Sequence, residues 1–393
     1  MAVKTAAWLT REVLLISLSA FFADLGYQAV IGLFPIFVTF ILKQPAYVFG
    51  ILMSFSYGVG SLFSYIGGRL GDKFSKKKLS LAGNLLIPLL SFSGLPSNIL
   101  ESSGLYLGGW WSRNFRSPPR RALLAEQSDT TERSRIFCFL HLLDVGGGML
   151  STLMAFFLVY ANFSISFVML LTVIPILVSS LSLSLVRENR KTEFSTNFHG
   201  QNVNQVENDS AMKLFLVSAG VFGFSYYSLG FPIITVARVE NSYSLGLLTY
   251  AIFLGASGLS GYFFGSRRLK PAGGLWMFGY SIAAIGSLSI GIAYLYHFGL
   301  FSFYLSAALL GVGTGSIETF EPVVAALLSA PHSISRGMGS LGAWRSIGLF
   351  SSNLLMGILF TFNIFASYLY ACITSALAAT LMALVQIRTS SLK

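Results

Sequence analysis

Charged residues are scarce in this sequence, and their scarcity excludes most soluble folds. Asp, Glu, Lys and Arg make up 10% of the 393 residues, against about 25% in a typical soluble domain. Apolar residues make up 54% of the chain, and the mean hydropathy is +0.70. We therefore expect lipid, and not water, to surround most of the protein.

Cysteine and histidine are also rare, which leaves little material for cross-links, metal sites or cofactor chemistry. The two cysteines, Cys138 and Cys372, both fall in apolar segments, so no disulfide framework is available. The four histidines are far apart in sequence, and no glycine-rich phosphate-binding loop is present. We therefore predict that the chain is not an enzyme, needs no cofactor or metal, and does not drive transport with ATP by itself.

Long apolar runs are what the sequence has in abundance. Twelve blocks have the length needed to cross a bilayer, roughly 20 residues. Open strands cannot satisfy their backbone hydrogen bonds in hydrocarbon, so every block is predicted to be a helix of an all-α integral membrane protein. The first block is predicted to be a retained helix and not a cleaved signal peptide. The blocks are 12–42, 46–68, 79–97, 102–126, 135–160, 164–187, 213–237, 244–266, 272–296, 299–330, 336–361 and 364–387.

Basic residues are distributed unevenly around these blocks. Of the 26 Lys and Arg, 21 fall in the terminal segments and alternate loops, whereas the opposite loops hold only Lys43 and Arg238. Because Lys-rich and Arg-rich loops stay in the cytoplasm, both termini are predicted to be cytoplasmic. The net charge of +11 is therefore an orientation signal in a multi-pass plasma-membrane protein, and we expect no nucleic-acid partner.

A single long polar stretch divides the chain. Residues 188–212 lack apolar periodicity and are predicted to be a flexible cytoplasmic linker between residues 1–187 and 213–393. The two parts look related: GYQAVIGLFPI at 26–36 is similar to GFSYYSLGFPI at 223–233, and PPRRALLA at 118–125 to PVVAALLS at 322–329. Parallel repeats of this kind predict a transporter whose site lies between two six-helix bundles near mid-membrane.

The loop after the second block carries a recognisable motif, GRLGDKFSKKK at 68–78. It resembles the signature of the major facilitator superfamily, although Ser75 replaces a customary glycine. The positions that fit are Gly68, Leu70, Asp72, Lys73, Lys76 and Lys77. The resemblance implies two pseudo-symmetric six-helix bundles, a monomer, and transport of a small solute by alternating access. It also implies that this loop is a gating loop, which closes the cytoplasmic side near the start of the eleventh block.

The fifth block bears on the direction of transport. In exporters of the superfamily, this span often carries a glycine-rich motif with a Gly-Pro pair. Here the stretch is DVGGGMLSTLM at 144–154, with Ser151 and Thr152 where that pair is expected. This departure weakens an antiporter interpretation, and we favour export only slightly over uptake.

Seven charged residues fall deep inside the apolar blocks, away from the block ends. A charge near the bilayer centre costs roughly 2.5–3.5 kcal/mol on insertion scales, so each is expected to face a cavity or a partner. At 1.5 Å per residue, three of them lie roughly 18–19 Å from the cytoplasmic ends of their blocks and four lie roughly 14–15 Å from them. The deeper set is Asp24, Arg113 and Glu318, and the shallower set is Arg116, Asp144, Glu321 and Arg345.

Depth predicts one ion pair in each half of the chain. Arg116 is expected to meet Asp144, and Glu321 is expected to meet Arg345. Two interpretations stay open: either the pairs are static, or they exchange between the halves as the protein rocks. Arg120, closer to the cytoplasm, is expected to reach the lipid headgroups.

Asp24 is the predicted proton carrier. Burial and a nearby arginine have opposite effects on the pKa of a carboxylate, so movement of Arg113 would change the proton affinity of Asp24. Arg113 or Arg116 holds either a carboxylate partner or an anionic group of the substrate. Gln28 lies four residues beyond Asp24 and faces the same way, as a candidate ligand contact. Glu318 offers the same chemistry in the second half, where no arginine is expected at its depth.

Three functions remain compatible with these patterns. We favour a proton-coupled secondary transporter of a small organic solute, with the solute, the proton and the lipid bilayer as partners. The alternatives are an uncoupled facilitative transporter and a non-transporting membrane sensor on the same fold. Dependence on a proton gradient separates the first two, and ligand binding without flux would indicate the third.

Overall fold

The computed structural model describes residues 8–127, 133–188, 209–267, 269–329 and 334–390. Within these ranges every regular element is helical. Two π-helical turns, Phe37–Ile41 and Leu275–Tyr280, follow the first and twelfth α-helices. The α-helices are α1 (Arg11–Ile36), α2 (Ala46–Gly71), α3 (Lys76–Leu86), α4 (Pro88–Phe92), α5 (Ile99–Glu126), α6 (Arg133–Tyr160), α7 (Ile165–Leu171), α8 (Val173–Ser184), α9 (Asp209–Gly223), α10 (Gly230–Val239), α11 (Tyr243–Gly265), α12 (Pro271–Gly274), α13 (Ser281–Leu295), α14 (Leu300–Leu328), α15 (Ile334–Phe362) and α16 (Ile364–Ser390).

Nine helical stretches in the described ranges are long and apolar enough to cross a membrane. Three predicted blocks are helical but fall short of that standard, each for a visible reason. Block 79–97 is divided between α3 and α4, block 102–126 is the arginine-rich α5, and block 213–237 is divided between α9 and α10. Most of the predicted linker lies outside the described residues. A count of twelve crossings therefore stays a prediction.

Breaks between short helices are satisfied by groups inside the protein. α4 begins at Pro88, which has no N–H to continue the hydrogen-bond ladder of α3. α7 and α8 meet at Thr172, whose hydroxyl donates to the Met169 carbonyl at 2.6 Å. Between α9 and α10, the N–H of Ser228 donates to the side chain of Asn353 at 2.8 Å. Non-helical backbone within a membrane is stable only with such internal partners.

Glycines allow the central helices to approach closely. We call the described residues before 189 the N-terminal half and those after 208 the C-terminal half. In the N-terminal half, α1 packs on α6 and α8. A Cβ atom on Gly147 would lie 2.5 Å from the Phe21 carbonyl oxygen, and in the C-terminal half one on Gly315 would lie 2.2 Å from the Ser257 carbonyl oxygen. Close backbone packing replaces the hydrophobic effect, which gives no drive between helices in lipid.

The two halves meet firmly at one end of the molecule. α1 begins at the end where α16 finishes, which we call the terminal end, and it runs to the opposite end. There the ring of Phe40 lies 5.3 Å from that of Tyr243, at the start of α11. Towards the same end, α2 and α15 cross so closely that a Cβ on Gly50 would lie 2.7 Å from the Cα of Gly357. These contacts between halves close the opposite end.

Candidate functional site

Asp24, Tyr27 and Arg113 form a relay in the middle of the N-terminal half. Asp24 and Tyr27 are three residues apart on α1 and so lie on one helix face. The Tyr27 hydroxyl donates to Oδ1 of Asp24, and Arg113 on α5 donates to that hydroxyl from Nε at 3.3 Å and Nη2 at 3.2 Å. Arg113 thus lies near Asp24, as expected, but it reaches the carboxylate through a tyrosine. Asp24 itself is buried, with 4% of its surface exposed.

Gln28 connects this relay to the other half of the molecule. Its Nε2 donates to Oδ1 of Asp24 at 3.2 Å. Its Oε1 accepts a hydrogen bond from the Tyr250 hydroxyl of α11 at 2.7 Å. A chain of hydrogen bonds thus leads from the C-terminal half to the Asp24 carboxylate. Both polar atoms of the Gln28 amide are thus bound by the protein, and its contact with a ligand stays a prediction.

Arg116 does not meet Asp144, so this predicted pair is wrong. Arg116 is 1% exposed, and its Nη1 donates to Oδ1 of Asn84 on α3. Asn84 in turn donates to the hydroxyls of Ser179 at 3.1 Å and Ser180 at 2.8 Å on α8. The buried guanidinium is thus held by a neutral amide in a network across three helices.

Arg120 takes the place that was predicted for Arg116. Its Nη2 lies 3.6 Å from Oδ1 of Asp144, and its side chain is 3% exposed, so it does not reach the headgroups as expected. Arg116 and Arg120 are one helical turn apart on the same face of α5. The axial offset between α5 and α6 brings the second of them beside Asp144.

Two glutamates share one arginine in the C-terminal half. The expected contact between Glu321 and Arg345 is present, with 3.2 Å between Oε2 and Nη1. The other nitrogen, Nη2, binds Oε1 of Glu318, so the expectation that Glu318 lacks an arginine is wrong. The remaining oxygen of Glu321 accepts a hydrogen bond from the Tyr280 hydroxyl at 2.7 Å. The Arg345 guanidinium also lies over the ring of Tyr226, 5.0 Å from its centroid.

The two glutamates differ in their access to water. The side chain of Glu321 is 0% exposed, whereas that of Glu318 is 52% exposed. Glu318 is therefore accessible from outside the protein interior, whereas Glu321 is enclosed within the C-terminal half.

The motif loop lies at the terminal end, apart from these charge clusters. Gly68 packs near Pro118 of α5. A Cβ atom added to Gly68 would lie 3.5 Å from the Cβ of Pro118. Lys76 pairs with Glu126 at 2.7 Å. The N–H groups of Lys76 and Lys77 donate to Glu188 at 2.8 and 3.4 Å, which caps α3. Asp72 and Lys73 are exposed, and a gating role for the loop stays a prediction.

Sequence reasoning missed two residues that organise these clusters. Tyr27 separates Asp24 from Arg113, and its spacing from Asp24 was a usable signal. Asn84 gave no such signal, because a lone asparagine in an apolar block has many possible partners. Its role depends on the packing of α3 against α5 and α8, which local sequence does not specify.

Comparisons with known proteins agree with this architecture. The family model described as Major Facilitator Superfamily matches residues 16–300. A search of curated proteins gives no match. Among solved structures, the nucleoside transporter NupG superposes with a TM-score of 0.74 at 11% identity, covering 96% of this chain and 99% of that one.

Two further solved structures are similar. The D-xylose-proton symporter has a TM-score of 0.74 at 13% identity and covers 96% of this chain and 97% of its own. A POT family transporter in complex with a thioalcohol conjugated peptide has a TM-score of 0.75 at 13% identity, with coverage of 97% and 96%. At these identities the likeness concerns the fold alone.

Proposed function

This chain belongs to the Major Facilitator Superfamily, and on that premise we propose that it moves a small organic solute across the plasma membrane together with or against protons. It is a multi-pass membrane transporter and not an enzyme. The direction we propose is export, and the mechanism is alternating access between two bundles, residues 1–187 and 213–393. The predicted linker, residues 188–212, joins them in the cytoplasm.

The observation that carries proton coupling is the arrangement around Asp24. This buried carboxylate is bound by a phenol and an amide, and the nearest arginine reaches it only through the phenol. A proton can therefore bind Asp24 without separating a direct ion pair. Once protonated, the Asp24 carboxyl is a weaker hydrogen-bond acceptor for the Tyr27 hydroxyl. The hydroxyl is then free to turn towards solute or water. Arg113 then loses part of the negative charge that holds it.

The link to alternating access is the bond between Gln28 and Tyr250. It crosses from α1 to α11, so a change at Asp24 alters a contact between the two halves. The contacts at Gly50 and Gly357 would have to part when the opposite end opens. With both termini in the cytoplasm, as we propose, the present conformation faces inward. Twelve crossings are part of the same proposal.

Proton coupling has a precedent among the structural neighbours. One of them is a D-xylose-proton symporter. Others carry nucleosides or bind a peptide conjugate. These neighbours support our proposal that the solute is a polar organic molecule and that its transport is coupled to protons. The choice of solute depends on the site residues of this chain.

The test is solute-driven proton flux in proteoliposomes. We would impose a pH step, record internal pH with a trapped dye, and add pooled small organic solutes to either face. Wild type should show solute-dependent proton flux. Asp24→Asn should abolish it and leave solute counterflow, whereas Tyr27→Phe should reduce it about five- to tenfold, equivalent to roughly 1–1.4 kcal/mol for one hydrogen bond.

Matched controls separate coupling from general damage. Glu101→Gln alters an exposed acid at the start of α5, and Tyr160→Phe removes an exposed hydroxyl at the end of α6. Both should transport as wild type does. Full proton flux in Asp24→Asn would overturn the assignment of the proton to Asp24. Counterflow without any proton flux in wild type would instead establish the uncoupled carrier, and binding without counterflow the sensor.

A further inference from the structure

The deep charges of the two halves do not balance separately. Among the described deep charges of the N-terminal half, the three arginines Arg113, Arg116 and Arg120 outnumber the two carboxylates Asp24 and Asp144, which leaves one positive charge in excess. In the C-terminal half, Glu318 and Glu321 face only Arg345, which leaves one negative charge in excess. Unbalanced charges inside a membrane protein are costly, so they are expected to serve a partner that arrives from outside.

Arg113 is the accessible cation of the N-terminal half. Arg116 and Arg120 are 1% and 3% exposed, whereas Arg113 is only half-buried. Its partners are the Tyr27 hydroxyl and, at 3.4 Å, the amide oxygen of Asn114. Among the described residues, no carboxylate lies within 4 Å of Arg113. A guanidinium with free N–H donors at such a position is suited to bind a carboxylate or a similar anion.

Glu318 is the accessible anion of the C-terminal half. Glu321 is fully buried and is bound on both oxygens, by Arg345 and by Tyr280. Glu318 binds Arg345 through Oε1 only, and its side chain is half exposed. Among the described residues, no hydrogen bond or ion pair engages its second oxygen. A carboxylate at such a position is suited to bind an ammonium group.

The two groups lie at similar depths in the two halves, roughly 18–19 Å from the cytoplasmic ends of their blocks, and aromatic rings flank both. Arg113 lies 5.3 Å from the centroid of Trp110, whose ring lies 5.3 Å from that of Tyr57. In the C-terminal half, Tyr226 packs under Arg345, the partner of Glu318. Tyrosine and tryptophan faces beside both charges suit a solute that carries a cation and an apolar body. Among the described residues, no ion pair joins Arg113 directly to Glu318.

We propose that the solute is zwitterionic, with its anionic group bound by Arg113 and its cationic group bound by Glu318. This inference rests on the proposed transport function and adds the class of solute. A zwitterion compensates both excess charges at once. A simple anion would leave the excess negative charge of Glu318 uncompensated and be repelled by it. A simple cation would be repelled by Arg113 in the same way, so the site discriminates against both.

The test uses equilibrium binding to the purified full-length chain. The probes are zwitterions (free amino acids, dipeptides, betaines and aminosulfonates) together with blocked forms of the amino acids and dipeptides. N-acetylation leaves only the anion, amidation leaves only the cation, and both together leave a neutral molecule. The readout is the shift in Tm with each pool, followed by calorimetric titration of the active compounds. We expect zwitterions alone to stabilise the protein strongly, and blocking either end to weaken binding at least about tenfold, as for loss of one charged hydrogen bond.

Variants assign each end of the solute to its partner. In Glu318→Gln, the zwitterion should bind no better than its N-acetylated form. In Arg113→Gln, the zwitterion should bind no better than its amide, and Arg113→Lys should restore part of the difference. Glu101→Gln, which alters an exposed acid in the first turn of α5, should bind all four forms as wild type does.

Each outcome decides the inference separately from the proposed function. Absence of binding by every zwitterion pool would overturn it, as would equal binding of zwitterions and their blocked forms. If both variants keep the zwitterion preference, the assignment of the two residues is wrong. If zwitterions bind but drive no proton flux, the solute class stands and proton coupling fails. If proton flux follows neutral or singly charged solutes, coupling stands and the zwitterion inference fails.

Discussion

Removal of Arg345 should reveal how differently its two glutamate partners are supported. In Arg345→Gln, Glu321 keeps only the Tyr280 hydroxyl in a position with no exposed surface, whereas Glu318 is half exposed to water. Breaking a buried pair by removal of one partner costs about 3–5 kcal/mol, because the other charge is left uncompensated. We expect the free energy of unfolding to fall by this amount.

The two second-site changes should then have unequal effects. Glu321→Gln added to Arg345→Gln removes the stranded charge and should recover most of the loss. Glu318→Gln added to Arg345→Gln should recover less than about 1 kcal/mol, since exposed charges are already screened by water. The magnitudes follow from the exposed fractions of the two side chains, 0% and 52%.

The assay is equilibrium unfolding in mixed micelles, by titration with sodium dodecyl sulfate and detection of tryptophan fluorescence. The four chains are wild type, the arginine variant and the two double variants, with each glutamate variant alone to complete the cycles. Equal rescue by either glutamate change would refute the reasoning. So would a loss of stability below about 1 kcal/mol in Arg345→Gln, which is the scale of an exposed pair.

Two other sites give predictions of known direction. Asn84→Ala should lower the free energy of unfolding by about 1–3 kcal/mol, because it leaves the buried guanidinium of Arg116 without its acceptor. Asn84→Asp should raise the Tm, because it supplies a carboxylate to the same guanidinium. A lower Tm in both variants would contradict the role given to the amide. In Gly50→Ala, the added methyl group should push α2 away from the backbone of Gly357. Such overpacking destabilises the closed arrangement by about 1–3 kcal/mol. The ratio of molecules with the opposite end open to those with it closed should then rise about five- to 150-fold. A cysteine at Phe49, which is buried at that end, should then react faster with an impermeant maleimide, and an unchanged rate would contradict the close contact.

Part of the candidate site followed from the sequence because depth in a membrane is nearly a one-dimensional quantity. Glu321 and Arg345 lie at similar depths on helices that are close in the chain, and their contact was predictable on that basis. The same reasoning chose Arg116 for Asp144, one helical turn from the arginine that Asp144 meets. A turn is 5.4 Å, which is within the uncertainty of any helix boundary read from sequence.

The helical class of this protein was determined by the sequence alone, because hydrocarbon leaves the backbone of a long apolar segment no other partner than itself. The family followed from the motif at 68–78 and from the repeated halves. Only the tertiary structure decided which side chains share a partner. The Tyr27 hydroxyl between Asp24 and Arg113, the amide of Asn84 on Arg116, and the second glutamate on Arg345 all depend on the rotation and axial shift of neighbouring helices. Those two quantities are set by the packing of many small residues at once, and so no local pattern of residues encodes them.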